Sequence, residues 1–247
     1  ASIILKKYPN LGLRLSMNKR DLPLKKGLSS SAATCVLVAR AFNRIHDLNL
    51  SEEEEMEFAY RGELLTGSLC GRMDQACAYG RNPVLLTFDG DEMIAEPLNT
   101  GEPLYFLIVD LQAEKNTRKI LEDLNTSFSS GNRMIRQALG KENHRITTEA
   151  CNAIEKGDPK HLGELMTEAQ RVFDEMVAPL CPSELTAPKL HRTLLNEAAG
   201  DLAWGGKGVG SQGDGTAQFI CKSNPQRKLL KDRLESEMSV DCYNLTL

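Results

Sequence analysis

Eight residues near the middle of the chain, Leu104 to Leu111 (LYFLIVDL), form a nearly continuous apolar run. A half-solvated strand alternates apolar and polar side chains, so a run of this kind reads as a fully buried strand. Helical patterns follow it at roughly 115–139, 145–156, 158–178 and 183–199. Next come a glycine-rich stretch (WGGKGVGSQGDG), a strand (TAQFIC), a helix from Pro225 and an alternating tail (VDCYNLTL). Ahead of the buried run, Leu11 to Met17 alternates like a half-buried strand. A helix is expected over about Ser31–Asp47, and a second from Ser51, where Ser51 and Glu54 make a capping box, to about Thr66. A short helix over Met73–Tyr79 and a hairpin through Asp89-Gly90 complete this part. The mixed order predicts an α+β protein with a boundary near residues 97–103.

Composition narrows the function. The 247 residues are 41% hydrophobic and carry a net charge of -4, which argues against a general binder of nucleic acid or anionic membranes. No run reaches the roughly 20 apolar residues of a membrane helix. The opening ASIILKKYPN lacks the pattern of a signal peptide. Seven cysteines with no CxxC pair read as reduced, mostly buried thiols in a cytoplasmic protein. The scattered histidines make no ligand-like pair, so no structural zinc site is expected.

Three stretches carry candidate chemistry. In KKGLSSSAATCVLVAR, a glycine and three serines stand directly before a helix pattern. A helix N-terminus offers unpaired N–H donors and a partial positive charge, which suits phosphate, although a helix start with surplus serines is the plainer alternative. The sequence has no Walker A pattern. In RGELLTGSLCGRMDQACAYG, Glu63 falls at helical spacing from Met56, Ala59 and Tyr60, so an inward carboxylate is plausible but not forced. Asp74 reads equally as a helix N-terminal residue and as a catalytic one. The third stretch, GGKGVGSQGDG from Gly205 to Gly215, has six glycines in eleven residues. It reads as a loop that approaches a ligand or another loop, with a solvent loop as the alternative.

Together the three resemble the GHMP kinases, whose phosphate loop has the form P-x-x-x-G-L-x-S-S-A; Pro23 to Ala33 reads PLKKGLSSSAA. CGRMDQ, Cys70 to Gln75, looks like the segment of galactokinase-type sugar kinases that carries the catalytic aspartate. The resemblance implies a two-domain GHMP kinase fold. Residues 1–100 would form an N-terminal domain like domain 2 of ribosomal protein S5, and residues 101–247 a ferredoxin-like C-terminal domain. It further implies Asp74 as the catalytic residue and Ser31 and Glu63 as Mg²⁺ ligands. Gly27, Leu28, Ser29, Ser30, Ser31, Ala32, Gly208 and Gly210 would bind ATP. Gly71, Arg72 and Asp110 are candidate substrate contacts, with Lys115 beside them.

The implied activity is transfer of the γ-phosphate of ATP to a hydroxyl of a sugar or sugar acid, the anomeric hydroxyl among the candidates. The alternatives are a mevalonate-type kinase and a catalytically silent sensor of nucleotide and sugar. A monomer or homodimer is expected. The family's first motif, which supplies a Lys or Arg beside the aspartate, is not matched by ASIILKKYPN. Either it lies outside this sequence or another cation such as Arg72 substitutes. Lys207 reads as a solvated loop lysine or a phosphate neighbour, and Trp204 as a packing anchor.

Overall fold

The computed structural model describes residues 1–19, 28–67, 70–80, 82–90, 92–113 and 115–247. It divides into two units, Ala1–Pro97 and Leu98–Leu247.

In the first unit, helix α1 (Ser2–Lys7) precedes α2 (Ser30–Ile45) and α3 (Glu52–Leu64). Sequence periodicity had not marked α1, whose one buried residue, Ile4, packs with Ala39 and Phe42. The capping box at Ser51 forms in both directions, with Ser51 Oγ accepting from Glu54 N at 3.2 Å and Glu54 Oε2 from Ser51 N at 3.1 Å. A 3₁₀ turn over Met73–Tyr79 and the hairpin of β1 (Val84–Asp89) and β2 (Glu92–Pro97) follow as expected. Arg40 ties these pieces together. It pairs with the buried Glu55 of α3 (Nη2 to Oε2, 2.7 Å) and donates to Ala78 O in the 3₁₀ turn. Asn43 Nδ2 bonds the other Glu55 oxygen at 2.8 Å, so a carboxylate that would be costly alone is fully met.

The strand expected over Leu11–Met17 is not formed. Leu11 and Leu13 are half-buried and Gly12 and Arg14 exposed, but the alternation ends at the exposed Leu15 and Met17. No described strand lies beside this segment, and without a neighbour the ladder bonds that define a strand cannot be made.

The second unit holds β3 (Tyr105–Asp110), α4 (Thr117–Ser129), α5 (Arg133–Arg136), a π-helical turn over Gln137–Glu142, α6 (Asn143–Lys156) and α7 (Pro159–Met176). Next come α8 (Pro182–Leu185), α9 (Pro188–Leu194), α10 (Glu197–Leu202), β4 (Ala203–Gly208), β5 (Thr216–Cys221), α11 (Asn224–Met238) and β6 (Asp241–Thr246). The single helix expected over 183–199 is three short ones. Pro182 and Pro188 each start a helix, and Asn196 caps the third by accepting from Ala198 N at 2.9 Å.

The four strands form one antiparallel sheet in the order β4-β5-β3-β6, the ferredoxin-like order. Leu107 and Val109 of β3 pack with Leu230 and Leu234 of α11, whereas Leu104 and Phe106 pack with Leu162, Leu165 and Met166 of α7. Helices thus cover both faces, which is why LYFLIVDL is apolar at nearly every position.

The glycine-rich stretch differs from the loop expected over 205–215, because its first half is β4. A Cβ on Gly205 would stand 1.9 Å from Gly163 O of α7, so only glycine lets this strand and this helix meet backbone to backbone. Trp204 packs in the cluster under α7, with the Lys222 ammonium 5.2 Å from its ring centre.

Candidate active site

Helix α2 opens on Ser29, which adopts the left-handed conformation (φ 52°) and makes no side-chain cap. Among the described residues the leading N–H groups of α2 therefore receive no bond from their N-cap side chain. Leu28, Ser29 and Ser30 are half-buried, Ser31 is exposed and Ala32 is buried. Gly27 and the preceding residues from Pro23 lie outside the described residues.

Ser31 turns its hydroxyl across to α3, where Oγ donates to Glu63 Oε1 at 2.6 Å. Glu63 is 5% exposed and lies on the inward face with Met56 and Ala59. Its second oxygen accepts from Gln75 Nε2 at 2.8 Å. Two neutral donors hold the carboxylate, and among the described residues no lysine or arginine pairs with it. Its negative charge also helps raise the thiol pKa of Cys35, one turn along α2, an effect second to that of burial.

A hydroxyl and a carboxylate facing each other are hard oxygen donors, the set that suits Mg²⁺. Among the described residues no cluster of three His, Cys, Asp or Glu could cage a metal. A cation that keeps waters and phosphate oxygens in its shell needs no such cage, so the residues present fit Mg²⁺.

Asp74 stands in the first turn of the 3₁₀ segment, half-buried, directly before Gln75. Among the described residues no hydrogen bond or ion pair holds its carboxylate. It contributes to raising the thiol pKa of Cys77, where burial is the larger cause. Gly71 is exposed, with open space where a side chain would go. Arg72 is engaged by α3: its Nε lies 3.3 Å from Glu57 Oε2 and its guanidinium 5.1 Å from the Tyr60 ring centre. Gln75 is the functional candidate that periodicity missed. A lone amide in a short turn leaves no pattern; the only signal was its place beside Asp74.

The glycine segment of the second unit is held from several sides. Gly208 donates its N–H to Gln170 Oε1 at 2.7 Å, and its carbonyl accepts from Lys207 Nζ (2.8 Å) and Gln212 Nε2 (3.2 Å). That N–H is committed to the fold. Gly210 is exposed at φ 60°. Lys207 lies on β4, half-buried, rather than on a solvated loop, and burial lowers its pKa. Asp214 turns away from the glycines to accept from Leu190 N at 2.8 Å, capping α9, whose own N-cap residue Ala187 has no capping side chain. Lys115 Nζ donates to Gln212 O at 2.7 Å, bracing the same loop. Asp110 is buried and accepts from Gln112 N at 2.9 Å, the geometry of a strand-end turn.

Comparison with known proteins finds kinases among those similar to this chain. Residues 1–81 match the family model described as the GHMP kinases N terminal domain. The chain is 29% identical over 198 residues to a mevalonate kinase of Aeropyrum pernix, covering 76% of this chain and 58% of that one. It is 28% identical over 159 residues to a galactokinase of Thermococcus kodakarensis, covering 62% and 44%. The chain thus spans about half the length of these relatives. The structure resembles that of L. major mevalonate kinase with a TM-score of 0.72 at 21% identity, over 89% of this chain and 65% of the other. Motif, family model and relatives point the same way: residues 1–81 match the N-terminal domain of the GHMP kinases, and the chain as a whole is similar to kinases of that kind.

Proposed function

We propose that this protein is an ATP-dependent small-molecule kinase that phosphorylates a hydroxyl of a sugar or sugar acid. The observation that carries the reading is the Ser31–Glu63 contact of 2.6 Å on a buried carboxylate without a cationic partner among the described residues, with Asp74 directly before the residue that holds the same carboxylate.

Phosphoryl transfer asks a protein mainly for positioning and for neutralisation of spreading negative charge. Ser31 and Glu63 would hold Mg²⁺, which when bound neutralises charge on the phosphates. The uncapped first turn of α2, Ser30 to Ala32, offers N–H donors and the positive end of a helix dipole to the phosphates of ATP, with Leu28 and Ser29 at its entrance. Asp74 accepts a hydrogen bond from the acceptor hydroxyl, orients it, and takes its proton as the new O–P bond forms. Phosphoryl transfer asks mainly for positioning, so orientation is the larger part of this work. Gly71 and Arg72 stand close enough in sequence to border the acceptor.

A second reading, a mevalonate-type kinase, is favoured by the 29% identity to the Aeropyrum pernix mevalonate kinase. ADP release from Mg·ATP, measured against monosaccharides, uronic acids and mevalonate, separates the two. Turnover with a sugar or sugar acid is the expected result. Turnover with mevalonate alone moves the assignment to the second reading. Silence across the panel with ATP still bound supports a nucleotide-binding sensor and overturns both.

A further inference from the structure

We propose that Gln75 is a positioning residue that sets the cation selectivity of the Ser31–Glu63 site, favouring Mg²⁺ over Ca²⁺ by holding Glu63 as a one-oxygen ligand. The inference rests on the reading of Ser31 and Glu63 as cation ligands. The two oxygens of Glu63 have different neighbours: Oε1 meets the Ser31 hydroxyl at 2.6 Å, and Oε2 meets the Gln75 amide at 2.8 Å. A serine hydroxyl can turn its proton aside and offer a lone pair to a cation, whereas an amide nitrogen can only donate. Oε1 is therefore the oxygen open to a cation, and Oε2 is pinned.

The Gln75 side chain is fully buried, and its own Oε1 has no hydrogen-bond partner among the described residues. A buried acceptor left unmet calls for a cause. Flipping the amide would turn that oxygen onto the carboxylate, so Glu63 dictates the orientation. The arrangement has a consequence for ion choice. Mg²⁺ is small and octahedral, and is served by single carboxylate oxygens. Ca²⁺ takes six to eight ligands and gains from carboxylates that bind through both oxygens. With Oε2 pinned, the second mode is denied.

The test loads the protein, in complex with a non-hydrolysable ATP analogue, with Mn²⁺ and follows its displacement by Mg²⁺ or Ca²⁺ through the Mn²⁺ electron paramagnetic resonance signal. Gln75→Met keeps the length and apolar volume of the side chain and removes both the donor and the unmet oxygen. It is expected to shift the Ca²⁺-to-Mg²⁺ displacement ratio about tenfold toward Ca²⁺, the scale of effect seen when a ligand's supporting hydrogen bond is lost. Glu63→Gln, measured alongside, is expected to weaken Mn²⁺ binding. An unchanged ratio in Gln75→Met, with Mn²⁺ weakened in Glu63→Gln, overturns the role of Gln75 and leaves the cation site standing. Unchanged Mn²⁺ affinity in Glu63→Gln overturns both. Should Gln75→Met not fold, Gln75→Asn, whose amide is one methylene short of Glu63, is read in the same way.

Discussion

The serine-rich start of α2 and the glycine-rich run from Ala203 to Gly215 look alike in the sequence, as small residues gathered next to an apolar element. At α2, side chains reach outward: Ser31 crosses to Glu63, and the first turn of the helix keeps its N–H groups uncapped. At the glycine run the backbone is itself the packing surface. Gly205 lies against Gly163, the Gly208 N–H is held by Gln170, and Asp214 caps α9. Small residues at a helix start leave donors available to a ligand, while small residues in a strand under a helix remove steric bulk. Substitutions in the first region should change chemistry at nearly constant stability, and those in the second should change stability.

The largest effect that distinguishes the two is expected at Asp74. Asp74→Asn should lower turnover about 10³-fold, with nucleotide affinity within a few fold and the unfolding midpoint unmoved. Wild-type-like ADP release from that variant would remove Asp74 from the chemistry. Gly205→Ala should cost about 3 kcal/mol in urea unfolding, because the new methyl meets the Gly163 carbonyl at 1.9 Å. A loss too small to measure would mean that α7 slides freely over β4, and the contrast between the regions would be gone. Asp214→Ala should cost about 1 kcal/mol through the lost cap on α9.

The smallest effect is a pH dependence at Lys207. Burial lowers its folded pKa below the ordinary 10.5, so the unfolded chain binds this proton more readily. Stability associated with the neutral amine is fully present above 10.5 and is lost as pH falls through the folded value. Lys207→Met should flatten unfolding free energy against pH between neutrality and 10.5 and raise it at neutral pH. An unaltered slope would show that the ammonium reaches water in the folded protein.

What the sequence makes readable follows from range. The Ser51–Glu54 capping box, the hairpin through Asp89-Gly90 and the double-faced burial of LYFLIVDL are stated by neighbouring residues, and each forms. The strand identity of Ala203–Gly208 depends on β5 and on a helix some forty residues earlier, neither of which glycine propensity can report. The alternation of Leu11 to Met17 predicts a strand only where another strand stands beside it. At the site, helical spacing indicated that Glu63 could turn inward, and the structure buries it. Gln75 stayed invisible because its significance is a distance to Glu63 across two elements, not a spacing along one.

Strand β3 occupies an inner position of its sheet, and both of its neighbours come from late in the chain. Leu107 is opposite Phe219 on one side and Asn244 on the other, and Leu104 and Leu247 exchange two backbone hydrogen bonds. On a ribosome, this most apolar segment emerges long before either partner and has mainly the helices α4 to α10 to lie against meanwhile. Its folding therefore waits on closure of very long loops, a slow step that leaves a sticky strand with two open edges. The synthesis interval between β3 and β6 is thus the period in which the nascent chain exposes an apolar strand with unpaired edges, the condition that favours aggregation.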